Sequence, residues 1–330
     1  MKLSVAMPPG PDAVDCARLA ESLGYDRIWF YDSAALYEDI WVTLARVAER
    51  TKINLGTAVL VPNLRHVMTT AAAIATIERL APGRLACGFG TGATARWVLN
   101  KPALSWATTR RYVEQLHGLL HGEVVEVDGE PCQMIHHERW AMSRPIETPL
   151  LMSALGPKGL ATTRELCDAG VTAGVISFGP TEMPFDWHAL MVAGTVLEPG
   201  ESPTSERVKH ALGPWYVLRY HGTWQLFPEA ISALPSGAQW LAEIEAERPP
   251  GQRHLAVHAG HVTDVVAHDD KFLDAATGDD LATAGWLGTP EELRSRADAV
   301  AAQGVTELLY TPAGPDVGHQ MESFAAALLP

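Results

Sequence analysis

The sequence predicts an α/β fold: a (β/α)8 TIM barrel with insertions after strand 4 and around strand 7. Three observations predict it. Within the first 121 residues strand-like and helix-like segments read β-α-β-α-β-α-β-α, an alternation that argues for a parallel sheet with right-handed crossovers. Three helical patterns stop at a glycine with an apolar run close behind, at Leu23-Gly24, Ala169-Gly170 and Gln303-Gly304. Consecutive strands end in polar or glycine-rich loops, which places those loops on the one edge where such folds keep their chemistry. A doubly wound dinucleotide fold competes poorly. The first glycine loop does not follow strand one, and no acidic residue sits at the ribose-binding spacing. The expectation is a single domain over residues 1–330, with inserted segments at about 122–148 and 179–251.

Each element has its own signal. Leu3–Met7 is the first strand, broken by Pro8-Pro9-Gly10-Pro11. Val14, Ala17, Leu19, Ala20 and Leu23 give a helix over Asp12–Leu23. Arg27–Phe30 is a short apolar strand. Ile40, Trp41, Leu44, Val47 and Ala48 repeat at helical spacing, and Ile53–Val59 is the next strand. Val67, Ala71, Ile74, Ile77 and Leu80 form one helical face; Arg84–Phe89 is a strand and Trp106–His121 a helix. Glu123–Ile135 reads as an inserted hairpin turning at Asp128-Gly129. Pro149–Met152 resumes the sheet, followed by a helix over Pro157–Cys167 and a strand over Val171–Ile176. The segment from Gly179 to Gly251 is the least regular; it suggests a strand near His210–Leu218 and a helix over Ala238–Glu247. Thr289-Pro290-Glu291-Glu292 is a capping box with proline in the first turn. Its helix runs to Ala302, and Thr306–Tyr310 is the last strand.

Composition narrows the function. Hydrophobic residues make up 47% of the chain, enough for a large core. The formal net charge of −14, without a basic stripe, argues against a nucleic-acid partner. No apolar run is long enough to cross a bilayer, so no membrane partner is expected. The four cysteines are scattered, no C-x-x-C occurs and the opening runs straight into a strand, so the expected setting is cytoplasmic with reduced thiols.

The strand ends supply the candidate site. They are Met7-Pro8, Tyr31-Asp32-Ser33, Ala58-Val59 with Asn63, Gly90-Thr91-Gly92, Ser153 to Pro157, Gly174 to Ser177, and Tyr310-Thr311. Few are charged. Glycines, small residues and hydroxyls suit a flat, neutral ring system held by backbone groups. No metal is expected, because none of the 13 histidines falls in H-E-x-x-H. His258-Ala259-Gly260-His261 is the most suggestive pair, as a possible substrate contact. No G-x-S-x-G elbow supports a nucleophile.

The block from Ile28 to Gly92, with Pro62-Asn63-Leu64-Arg65-His66 and Leu80-Ala81-Pro82-Gly83-Arg84-Leu85, resembles the luciferase-like flavin and F420-dependent oxidoreductases, especially the methylenetetrahydromethanopterin reductase-like branch. Weaker similarity extends over Pro149–Val175 and Gly288–Tyr310, together about half of the chain. Ala154-Leu155-Gly156-Pro157-Lys158-Gly159-Leu160 is similar to that family's phosphate-holding loop. The resemblance implies that Asp32 lies at the ring edge, that Ala58-Val59 is a non-proline cis peptide behind the ring, and that Asn63 and Gly90, Thr91 and Gly92 line the ring site. It also implies that Ala154, Gly156 and Pro157 serve the phosphate at a helix start. The sequence departs from the family at Ser33, where many F420 enzymes have histidine, and at Ala93, where some relatives have an acid. The proton then comes from Asp32, Tyr31 or water, or from His258 or His261.

The resemblance implies an F420-dependent oxidoreductase moving a hydride at an organic substrate. An FMN-dependent, oxygen-using luciferase-like monooxygenase is the alternative, and a cofactor-free binding protein on the same barrel the second. A small-molecule substrate, a homodimer and, if the cofactor is recycled externally, a flavin or F420 reductase are the partners it implies.

Overall fold

The computed structural model describes all 330 residues. In chain order the elements are β1 (Lys2–Met7), α1 (Ala13–Leu23), β2 (Arg27–Phe30), α2 (Ile40–Arg50), β3 (Asn54–Leu60), α3 (Val67–Leu80), β4 (Leu85–Phe89), α4 (Ala93–Trp97), α5 (Trp106–His121), β5 (Val125–Val127), β6 (Glu130–Cys132), β7 (Leu150–Ser153), α6 (Pro157–Asp168), β8 (Gly174–Ser177) and β9 (Trp187–Val196). They continue as α7 (Glu206–Leu226), α8 (Gly237–Glu247), α9 (Arg253–Val257), α10 (Ala267–Leu273), α11 (Gly278–Ala284), β10 (Trp286–Gly288), α12 (Pro290–Ala302), β11 (Glu307–Thr311) and α13 (Val317–Leu328). No helix is long and apolar enough to cross a membrane.

The chain divides into two compact units. The first holds Met1–Ala93, Ala103–Met191 and Val300–Leu309; the second holds Thr94–Pro102, Val192–Ala299 and Tyr310–Pro330. Eight parallel strands close into a barrel in the order β1-β2-β3-β4-β7-β8-β9-β11, with β11 returning to β1. Closure is visible in single hydrogen bonds. The Thr306 amide donates to the His188 carbonyl, and the Lys2 amide to the Thr306 carbonyl. β8 and β9 are further joined where His188 Nε2 meets Ser177 Oγ at 2.7 Å.

The barrel interior is narrow, and glycine makes room for bulk. A Cβ on Gly56 would run into the Trp29 ring, and one on Gly88 would lie 2.6 Å from Ile176 Cδ1. Trp29 and Trp187 meet edge to face at 6.2 Å. Both indole N–H groups donate to Glu307, at 2.9 and 2.7 Å, and Glu307 is fully buried. The Arg27 guanidinium lies over the two indole rings and donates to the Leu55 and Arg84 carbonyls. A buried carboxylate is thus satisfied by two N–H donors with a cation close by.

Local signals held where local chemistry decides. Gly24, Gly170 and Gly304 all adopt left-handed φ of +72° to +91° at helix ends. Asp128 and Gly129 both have positive φ, the backbone of a tight hairpin turn joining β5 and β6. Thr289 and Glu292 exchange the two bonds of a capping box.

One expectation is corrected. Residues 210–218 are not a strand but lie inside α7, and the seventh barrel strand is Trp187–Val196. The apolar run around Leu212, Tyr216 and Val217 reads as a strand because α7 is buried on several sides. In the second unit it packs with Ile231, Trp240, Ile244, Val257 and Phe272 in one apolar core. A helix buried all round loses the one-sided periodicity that marks a surface helix.

Glu307→Leu leaves the buried Trp29 indole N–H and the half-buried Trp187 indole N–H without that acceptor. The expected loss is about 3 kcal/mol or more of unfolding free energy. Urea unfolding of the two proteins side by side measures it, and a loss under about 1 kcal/mol would show that Glu307 does not hold the barrel interior.

Candidate active site at the strand ends

The C-terminal ends of β2, β3, β4 and β7, four neighbours in the barrel, carry most of the residues singled out in the sequence. Asp32 follows β2. Its side chain is 3% exposed, and Oδ2 accepts from Arg65 Nη1 at 2.6 Å. The Val61 backbone N–H also donates to it. Arg65, in the loop after β3, reaches with Nη2 to Asp39 Oδ2 at 2.8 Å. Asp39 in turn caps α2, accepting from the Trp41 and Val42 amides. The Arg65 carbonyl accepts from Tyr112 Oη, which pairs with Thr70 Oγ1.

The Asp32 carboxyl sits above its ordinary pKa. Burial is the main cause, opposed by the hydrogen bond and charge of Arg65 and by the Val61 amide. Tyr31, beside it, donates to the Ala6 carbonyl, and burial pushes its phenol far up. That leaves Asp32 as the buried acid of this loop, since Ser33 carries no ionisable group and Glu38 and Asp39 are not buried.

At the end of β3 the Ala58–Val59 peptide bond is cis, the form the resemblance implied. The β3–β4 register slips between Thr57 and Leu60. Asn63 lies exposed in the one-turn helix Pro62–Leu64. Across from β3, the tip of β4 carries no side chain at Gly90 or Gly92. A Cβ on Gly90 would lie 2.8 Å from Val59 Cγ2, and one on Gly92, whose φ is +80°, would strike Val61. Both positions admit only glycine, one for space and the other for space and backbone. Thr91 between them is half-buried, and its carbonyl accepts from the Leu104 amide at 2.8 Å.

After β7, Ala154 is buried and donates its amide to the Ile176 carbonyl, extending the β7–β8 pairing by one residue. Gly156 is the N-cap of α6 and Pro157 its first residue. Nothing lies within 4 Å of where a Gly156 Cβ would sit, and Gly156, Pro157 and Lys158 are exposed. An open helix start of 12 residues offers unpaired N–H groups and the positive end of a dipole.

His258 and His261 belong to the second unit. They are 2% and 1% exposed and face His221. Burial, then the neighbouring His221, lowers the His258 pKa to about 3 and takes His261 well below its ordinary value. Neither carries an acidic proton as an imidazolium at neutral pH. Sequence reasoning alone assigns no role to Arg65, inside the Pro62-to-His66 motif. The signal was its place on the strand-3 loop, but only the fold puts it on Asp32, 33 residues away. It missed His221 altogether.

The barrel and its glycine-bordered, sparsely charged strand ends define a (β/α)8 protein with a candidate site at the face where this fold keeps its chemistry. The model of the luciferase-like monooxygenase family matches residues 3–180, and the chain belongs to that family of enzymes. It is 27% identical over 319 residues to the 5,10-methylenetetrahydromethanopterin reductase of Methanolobus tindarius, covering 91% of this chain and 90% of that one. Among solved structures, an F420-dependent secondary alcohol dehydrogenase matches with a TM-score of 0.67 and 16% identity, over 99% of this chain and 98% of that one. The FMN-bound oxygenating component of 3,6-diketocamphane monooxygenase from Pseudomonas putida matches with a TM-score of 0.60 and 12% identity, over 100% and 99%. These two likenesses are of fold.

Arg65→Met strips the counter-charge from Asp32. The Asp32 pKa should rise further, and stability at pH 7 should fall by about 3 kcal/mol. The sign follows from linkage. A carboxyl whose folded pKa exceeds its unfolded value near 3.9 contributes fully below that value and loses the contribution as pH rises through the folded pKa. The deficit of the variant should therefore shrink on acidification. Urea midpoints from pH 4 to pH 8 test this, and a pH-independent deficit refutes it.

Proposed function

We propose that this enzyme transfers a hydride between the deazaflavin F420 and a small organic substrate at the ends of β2, β3, β4 and β7. The observation that carries the reading is the pairing of a strand tip without side chains, Gly90 to Gly92, with the open N-terminus of α6. A flat ring approaches backbone most closely where no Cβ intervenes. A phosphate is received by helix N–H groups where nothing crowds the cap. The residues present fit such a group. Ala58, Val59, Asn63, Gly90, Thr91 and Gly92 would border the ring; Ala154, Gly156 and Pro157 would shape the phosphate end. When bound, a deazaflavin supplies the site with a donor or acceptor of a hydride.

The chain's own residues then have separable tasks. The bonds from Arg65 to Asp32 and Asp39 hold the loops after β2 and β3 in one arrangement. Val59 and Val61, packed on the two glycines, keep that wall dry and rigid. Asp32, raised by burial, takes or returns the proton that accompanies reduction or oxidation of a carbonyl or alcohol. Lys158 at the start of α6 is exposed, where it would favour an anionic tail.

Similarity over 91% of this chain to a relative named as a methylenetetrahydromethanopterin reductase supports the deazaflavin over FMN. The FMN-bound structural neighbour keeps an oxygen-using monooxygenase as the second reading. Fluorescence titration of the whole chain with F420 and with FMN separates them. The expected result is one F420 per chain, bound at least tenfold tighter than FMN. Tighter FMN with oxygen consumption in the presence of reduced FMN would establish the second reading, and binding of neither would leave a cofactor-free barrel. In a panel of small alcohols and carbonyl compounds followed by F420 absorbance, Asp32→Asn should lower turnover by about 10²–10⁴-fold and remove one limb of the pH profile. An unchanged profile would confine Asp32 to holding Arg65.

A further inference from the structure

Three histidines of the second unit converge with their Nδ1 atoms. His221 lies on α7, His258 directly after α9, and His261 in the turn that follows. His221 Nδ1 and His261 Nδ1 are 3.0 Å apart, and His258 Nδ1 and His261 Nδ1 are 3.4 Å apart. One ligand nitrogen from each of the three lies within 4.8 Å of the others, and all three residues are buried. Nitrogens bound tetrahedrally to zinc at about 2.0–2.1 Å are separated by roughly 3.3 Å, so the two measured edges bracket the spacing of such a site.

The opposite ring nitrogens are equally organised. His221 Nε2 faces Asp269 Oδ2 at 3.3 Å, His258 Nε2 faces Gln225 Oε1 at 3.3 Å, and His261 Nε2 faces Thr94 Oγ1 at 3.0 Å. Asp269 Oδ2 and Gln225 Oε1 only accept, which favours hydrogen on Nε2 of His221 and His258, whereas the Thr94 hydroxyl can accept from or donate to His261 Nε2. The Nδ1 lone pairs of His221 and His258 are then both turned toward His261 Nδ1; one proton there serves one of them, whereas a cation among the three nitrogens serves all. The charge balance points the same way. Asp269 is fully buried, accepts from Trp240 Nε1 at 2.7 Å, and has only His221 and His268 as ion-pair partners. A carboxylate in that position is costly without a strong positive charge nearby. The walls are aromatic: Trp97 stacks on His258 at 5.9 Å, and Trp224 meets its edge.

From this geometry we propose a three-histidine site for a divalent zinc-class ion, ligated by the Nδ1 atoms of His221, His258 and His261, with a water in the fourth position. Asp269, Gln225 and Thr94 orient the three rings. The site ties α7 to the 258–261 turn and, through those oxygens, to α10 and α4. It lies outside the residues assigned to the cofactor and does not depend on that reading, and each ligand is no more than 2% exposed. The sequence alone predicted no metal here; the ligands come from two segments, and only the pair at 258 and 261 has visible spacing.

The test uses the full-length, tag-free chain, stripped with a chelator and titrated with Co²⁺ and with Zn²⁺. The expected result is the visible ligand-field spectrum of tetrahedral Co²⁺, saturating at one equivalent, displaced by Zn²⁺ and lacking thiolate charge-transfer absorption. An upward shift of Tm should accompany it. His258→Gln and His261→Gln should abolish the spectrum, and Asp269→Asn should weaken binding by about 10–100-fold. Absence of a stoichiometric Co²⁺ spectrum in the unaltered protein overturns the proposal and leaves the cluster held by shared protons. A spectrum unchanged in both histidine variants overturns it as well, placing the ion elsewhere. The unaltered chain decides the question even if a variant fails to fold.

Discussion

A single buried carboxylate organises the strand ends. Asp32 takes one guanidinium nitrogen of Arg65 and the amide of Val61, while the other guanidinium nitrogen reaches Asp39. The loops after β2 and β3 thereby share one set of charge-assisted bonds, which are shorter and stronger than neutral ones. The consequences spread outward. Val61, held by Asp32, is the residue against which Gly92 packs; Asp39, held by Arg65, is the cap of α2. Taking Asp32 out of water is costly, and the compensating bonds also fix the loop geometry.

The barrel beneath shows the same economy of space. Trp29 fits because β3 presents Gly56, and Ile176 fits because β4 presents Gly88. Glu307 then answers the two indole N–H groups that such large side chains bring inside. A small barrel is a filled core rather than a pore, so each bulky residue requires a small one facing it. Rigidity below the strand ends is what lets loops with few side chains of their own hold a definite form.

The second unit solves a different problem. Its helices bury Tyr216, Tyr220, Trp240 and Phe272 in one apolar cluster, yet within it stand three histidines and an aspartate. Buried polar groups persist when every member has a partner. Here the outer nitrogens meet oxygens and the inner ones meet each other, an arrangement that a bound cation completes.

The sequence by itself determined whatever local chemistry controls. The α/β alternation, the helix-ending glycines, the Asp128-Gly129 turn and the capping box at Thr289 each depend on neighbours a few residues away, and each stands where it was expected. That the candidate residues from Asp32 to Gly92 stand on neighbouring strand ends was legible for the same reason: parallel strands with short loops put consecutive strand ends side by side. Position 210–218 was misread because a helix apolar on several faces has lost its period. The Arg65–Asp32 bond and the meeting of His221 with His258 and His261 were invisible, because neither has a spacing. Only the tertiary structure decided them, since such contacts are made by the angle at which elements pack, and the intervening chain carries no trace of that angle.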